Sequence, residues 1–98
     1  MPAIDDLFNN PYALENITPQ QVEEWARSEG WQVDTLRRGA HKGQGLIVRE
    51  EDGNGNLTGR IIEWHPGGGH HGPEPYWKVS SSTTGTRRIG PQFPRSTA

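Results

Sequence analysis

The sequence predicts an α+β domain in which N-terminal helices pack on one face of a twisted antiparallel sheet of about four or five strands. Two observations carry this expectation. Helix caps and helix-period apolar spacing are confined to the first third of the chain. After Gly30 the pattern changes to short alternating or apolar runs separated by glycine-rich turns. At 98 residues the chain makes one domain. Its helical part is expected over residues 4–30, its sheet over 31–90, and a frayed tail over 91–98.

The helical part begins with a short helix or turn in "IDDLFNNPYALEN". The clearest helix follows in "ENITPQQVEEWARSEGW". Thr18 is placed to N-cap it, Pro19 takes the first helical position, and Gln21 completes a capping box. Ile17 and Val22 have the spacing of a hydrophobic staple, and Val22, Trp25 and Ala26 form an apolar stripe. Gly30 is a natural left-handed stop. No chemistry is placed on these helices.

In the sheet part, "WQVDTLR" alternates Trp31, Val33 and Thr35 on one side, and "RRGAHKGQG" is a basic, glycine-rich connection. "LIVRE" is the next strand, and "EDGNGNLTG" signals a hairpin because Asp-Gly and Asn-Gly favour positive φ. "RIIEWH" returns, residues 64–75 form a long loop, "YWKVSSS" is another strand, and "TTG" turns the chain into "TRRIG".

Composition narrows the function classes. The chain has no cysteine, which excludes disulfides, thiolate metal sites and cysteine nucleophiles. No apolar run approaches the ~18–20 residues of a membrane helix, and no membrane partner is expected. "MPAIDDLFNN" does not read as a signal peptide, so an exported domain would carry its signal on a larger parent chain. The formal net charge of −2 is divided unevenly. Residues 1–34 hold seven acids against Arg27 alone, whereas residues 35–98 hold nine Lys and Arg against five acids. A basic segment of this kind suits an anionic partner.

The chemistry concentrates in "WHPGGGHHGPEPYWKVSSS". Three readings stand beside a plain polar turn. His65, His70 and His71 can be metal ligands, although neither a helical His-x-x-x-His pair nor a carboxylate-rich spacing accompanies them. "PGGG" can present backbone N–H groups to an anion, but no Walker or Rossmann motif is present. The third reading is acid–base cleavage of RNA through its own 2′-hydroxyl, which needs a base, an acid and cations but no cofactor. Histidine serves both proton roles near neutral pH.

Strand parity favours the third reading. In "YWKVSSS", Trp77 and Val79 point to the core, and Tyr76, Lys78, Ser80 and Ser82 point away. In "RIIEWH", Ile62 and Trp64 share one side and leave Glu63 and His65 opposite. If the polar faces coincide, the sheet presents a Glu–His base–acid couple beside Lys78 and Ser80. Arg87 and Arg88 are candidate cations, and Thr84 and Thr86 candidate hydrogen-bond donors. Arg37, Arg38 and Lys42 can contact a nucleic-acid backbone, and Tyr76 can stack on a base if exposed. His41 is given a secondary place.

At "GRIIEWHPGGGHHGPEPYWKVSSSTTGTRRIG" the chain resembles the C-terminal toxin domains of bacterial polymorphic toxins, the variable tips of contact-dependent inhibition and Rhs-type proteins. The likeness covers residues 39–90 and is best in the His65–Gly72 loop and the Tyr76–Val79 strand. "LENITPQQVEEWARSEGW" is similar to the helical lead-in of such domains. The resemblance implies a barnase/EndoU/colicin/RelE-like fold and a metal-independent endoribonuclease, often acting on tRNA. It further implies delivery by a larger secreted or cell-surface toxin, action in the target cell's cytoplasm, and neutralisation by a cognate immunity protein. A target-cell translation factor is a further partner the resemblance admits. Carried over to this sequence, His70, His71, Lys78 and the Thr84–Arg87 segment form the site, while Glu63 rests on strand parity alone. The alternatives are a metal-dependent nuclease toxin with His65, His70 and His71 as ligands, a DNase, or a non-catalytic module binding an anion or a protein.

Overall fold

The computed structural model describes residues 3–39, 41–69 and 72–94. Its elements are α1 (Asp6–Asn9), a 3₁₀ helix (Pro11–Asn16), α2 (Pro19–Ser28), β1 (Gln32–Asp34), β2 (Leu46–Glu51), β3 (Leu57–His65), β4 (Tyr76–Ser81) and β5 (Gly85–Ile89). The strands form one open antiparallel sheet in chain order, β1-β2-β3-β4-β5. This is the expected α+β arrangement. Among the described residues no helix is long and apolar enough to cross a membrane.

The start of α2 follows from its local sequence. Gln21 N–H donates to Thr18 Oγ1 at 3.1 Å, and Gln21 Oε1 accepts from Thr18 N–H at 2.9 Å. Two amides that no helical carbonyl can reach are thereby satisfied. Gly30 ends the helix at φ +79°, and Trp31 N–H closes back on Ala26 O at 2.9 Å. Thr18→Ala removes one arm of the box. It is expected to cost about 0.5–2 kcal/mol, read as a melting temperature several degrees lower at unchanged helix content.

One side of the sheet carries the core. Across it, Leu46, Trp64, Trp77 and Ile89 form one row of register partners, and Val48, Ile62 and Val79 form the next. Leu7, Phe8, Leu14, Val22, Ala26 and Trp31 cover these rows from the helical side. Arg60 of β3 ties α1 down: its guanidinium lies 2.7 Å from Asp5 Oδ1 and 4.3 Å from the Phe8 ring centre.

Several boundaries differ from expectation. β1 is only three residues long, and Thr35 is exposed rather than aligned with buried Trp31. The chain has to leave the sheet there, because the basic connection folds back on itself: Leu36 N–H donates to Gln44 O and Gly43 N–H to Leu36 O. β3 runs on through His65, so the long loop starts at Pro66. β4 stops at Ser81, which places Ser82 and Thr84 in the following turn. There Ser81 Oγ and Thr84 Oγ1 lie 2.6 Å apart. The start of the expected frayed tail is held in place. Phe93 N–H donates to Gly90 O, the Phe93 ring lies 5.1 Å from that of Tyr76, and Gln92 donates to Glu74 O at 2.7 Å. Residues 95–98 lie outside the described residues.

Candidate active site

The face of the sheet turned away from the helices carries the polar cluster. Because facing residues in an antiparallel pair share a side, the register fixes its composition. Ile47, Glu63, Lys78 and Arg88 form one row. Arg49, Ile61, Ser80 and Thr86 form the row on one side of it, and His65 and Tyr76 face each other on the other side. The polar faces of β3 and β4 therefore coincide, as strand parity predicts.

Glu63 is the centre of this cluster. Its Oε1 lies 3.1 Å from His65 Nε2, and its Oε2 lies 3.6 Å from Lys78 Nζ. The Glu63 and His65 side chains are 15% and 22% exposed, enough burial to strengthen both contacts relative to a free surface pair. Burial alone would raise the Glu63 pKa, but the hydrogen bond from His65 and the charge of Lys78 outweigh it, and the net shift is downward. Glu63 is thus held toward its ionised, accepting form, so His65 Nε2–H is the donor in this contact; in the neutral ring that arrangement places the lone pair on Nδ1. The imidazole also stacks on Tyr76, with ring centres 4.8 Å apart and planes 2° from parallel. The stack and the carboxylate together fix the plane and the rotation of the ring.

The lowered pKa of Glu63 has a consequence for stability. A carboxyl depressed in the folded state contributes stability above its ordinary value of 4.5, and this is lost as pH falls through the folded value. Glu63→Gln cannot titrate. Wild type is expected to be the more stable at pH 7, and the gap to Glu63→Gln is expected to narrow on acidification below pH 4.5, measured by urea unfolding of both.

Two adjoining hollows flank this cluster. One, of about 450 Å³, is lined by residues including Arg38, His41, His65, Tyr76, Lys78 and Arg88. The other, of about 390 Å³, is lined by residues including Arg37, Arg38, Ile47, Arg49, Glu63 and His65. His65, Arg38 and Leu36 border both. Among the described residues lining these hollows five are cationic, Arg37, Arg38, Arg49, Lys78 and Arg88, and one, Glu63, is a carboxylate, while Arg37 is also paired with Asp34 beside the cleft. Buried Leu36 and Ile47 add an apolar patch to this face, separate from the main core. The folded-back connection presents Arg37, Arg38 and His41 to the cleft. Gly45 allows this turn: its φ is +68°, and a Cβ there would lie 2.5 Å from Trp64 O.

The structure brings together Glu63, His65, Lys78, Arg88, Arg37 and Arg38 of the sequence-predicted set. Ser80 is two residues along β4 from Lys78, on the same face, and pairs loosely with Thr86 at 3.3 Å. Others are elsewhere. Arg87 faces Val79, hence the opposite side of the sheet, and is exposed there. Ser82 and Thr84 lie in the turn at the end of β4 remote from Tyr76. Lys42 is exposed on the basic connection and lines neither hollow. Tyr76 is buried and stacks on His65, so its ring is not an open platform for a base. His70 and His71 lie outside the described residues. Among the described residues no three His, Asp or Glu side chains converge as metal ligands.

Of the cleft residues, Arg49 was not singled out by sequence and His41 was given only a secondary place. Arg49 carries a readable signal, since it lies two positions after Ile47 on the same face of β2. His41 carries none, because only the fold brings its loop over the sheet. No family model matches the chain, and no curated protein or solved structure matches it.

Proposed function

We propose that this domain is a metal-independent endoribonuclease of the bacterial toxin type, with a barnase/EndoU/colicin/RelE-like arrangement of helices and sheet. The observation that carries the reading is the His65–Glu63–Lys78 chain of contacts set in a cleft edged by five cations. Cleavage of RNA through its 2′-hydroxyl needs positioned proton-transfer groups and positive charge around a crowded phosphate. His65 is oriented for proton transfer, and Lys78 and Arg88 are row partners next to it that can hold phosphate oxygens. Arg37, Arg38 and Arg49 extend the positive border along which a polynucleotide backbone can lie.

The choice of tRNA as substrate, delivery by a larger toxin, action in a target cytoplasm and a translation factor as activator rest on the resemblance alone. The immunity protein has one further support: an acidic partner would complement the basic cleft. The test is incubation of the purified domain with total RNA in EDTA, with and without bacterial extract. Discrete fragments ending in 2′,3′-cyclic phosphate and 5′-hydroxyl are expected. Intact RNA in every arm overturns the reading.

A further inference from the structure

Transesterification of RNA moves two protons. The 2′-hydroxyl loses one as its oxygen bonds to phosphorus, and the departing 5′-oxygen gains one as its own bond to phosphorus breaks. A base and an acid are therefore needed on the two sides of the phosphate. Glu63 and His65 read as such a couple in the sequence, and an ionised carboxylate can serve as its base; the contacts of Glu63 also suit a second role. The Glu63 carboxylate is held between His65 and Lys78 and stays ionised, so it orients and polarises the imidazole and has no proton to give. With Glu63 positioning the ring, one of the two proton roles is left without a group among the described residues of this cluster.

The second group can be sought on the walls of the same cleft. The larger hollow is lined by two described imidazoles, those of His65 and His41. His41 is half-buried, and its Nε2 is shielded from solvent with no hydrogen-bond partner among the described residues. The same holds for Nε of Arg88 on the same hollow. A buried polar atom left unpaired is unfavourable, and a side-chain rotation that turned either nitrogen into the hollow would let ligand oxygens pair with it. The two nitrogens have the chemistry to meet phosphate-ester oxygens, one from a titratable ring and one from a permanent cation.

We propose that His41 is the general acid of this site and His65 its general base, an assignment that rests on the ribonuclease reading. His65, its Nε2 proton donated to Glu63, takes the 2′-hydroxyl proton on Nδ1. His41 gives its proton to the departing 5′-oxygen, and Arg88 and Lys78 hold the non-bridging oxygens. A cyclic phosphate and a 5′-hydroxyl result, with one proton taken up by the enzyme and one released. No cofactor enters the balance.

The experiment uses an RNA that the domain cleaves, synthesised a second time with sulfur in place of the bridging 5′-oxygen at the cleavage position. A thiolate leaves without a proton, so the acid becomes dispensable while the base does not. His41→Ala and His41→Gln are expected to slow cleavage of the oxygen substrate by about 10²–10⁴-fold, and to cleave the sulfur substrate within about tenfold of wild type. His65→Ala is expected to be slow on both. Recovery on sulfur also shows that the His41 variants are folded. Equal loss on both substrates would make His41 a binding residue and overturn the assignment. Unchanged rates would overturn it too, and would pass the role to His70 or His71. If wild type cleaves neither RNA, the ribonuclease reading itself fails.

Discussion

Replacing His65 by alanine is expected to reduce RNA cleavage by about 10²–10⁴-fold while leaving the domain folded. The side chain stands at the border of both hollows, bonded to Glu63 on one edge and stacked on Tyr76 across its face. Its removal deprives the cleft of a proton-transfer group and leaves the Glu63 carboxylate with Lys78 as its remaining partner. Glu63→Gln separates the two contributions: it keeps the volume and weakens the orientation of His65, so a smaller loss is expected. The check is initial cleavage rate in EDTA, with circular dichroism confirming the fold. His65→Ala within about twofold of wild type would remove this residue from the chemistry.

The second large effect belongs to the core. Ile62 is fully buried at the middle of β3, with Val48 and Val79 as its register partners on either side. Ile62→Ala deletes buried methyl and methylene groups where three strands meet, and costs of about 2–5 kcal/mol are expected. For a chain of this length that lowers the melting temperature by at least ~8 °C. Leu57→Ala is the control, since Leu57 is 54% exposed near the start of the same strand and its loss is expected within about ±0.5 kcal/mol. A shift of Ile62→Ala no larger than the control would mean that the core is not closed over β3 as described.

These outcomes depend on features that differ in how far the sequence reveals them. The cap and stop of α2 are legible because Thr18, Pro19, Gln21 and Gly30 act through their immediate neighbours. The shared polar face of β3 and β4 is legible because alternation carries it, and the register places Glu63 opposite Lys78. The same rule, applied from buried Ile89 backwards, would have chosen Arg88 over Arg87; grouping the two arginines by charge obscured their opposite sides. "LIVRE" concealed the place of Ile47, since three consecutive apolar residues give no indication of which face is open; once Ile47 is placed, alternation assigns Arg49 to the same side. His41 was beyond any local rule. Its place over the cleft depends on the connection between β1 and β2 folding back across Leu36, a tertiary event held by two backbone hydrogen bonds.

The strand order has a consequence for how the domain forms. From β2 on, every strand pairs with the one before it in the chain, so the sheet can form as successive hairpins whose loops span at most the connection between neighbouring strands. The helical layer follows another rule. Arg60 reaches back 55 residues to Asp5, and the 3₁₀ helix touches β5 near the opposite end of the sequence. Sealing the core is therefore the entropically expensive step, while the polar face of the sheet is assembled from adjoining segments. With no cysteine to re-oxidise, an unfolded chain can regain the polar face of its sheet through pairings between neighbours in sequence alone.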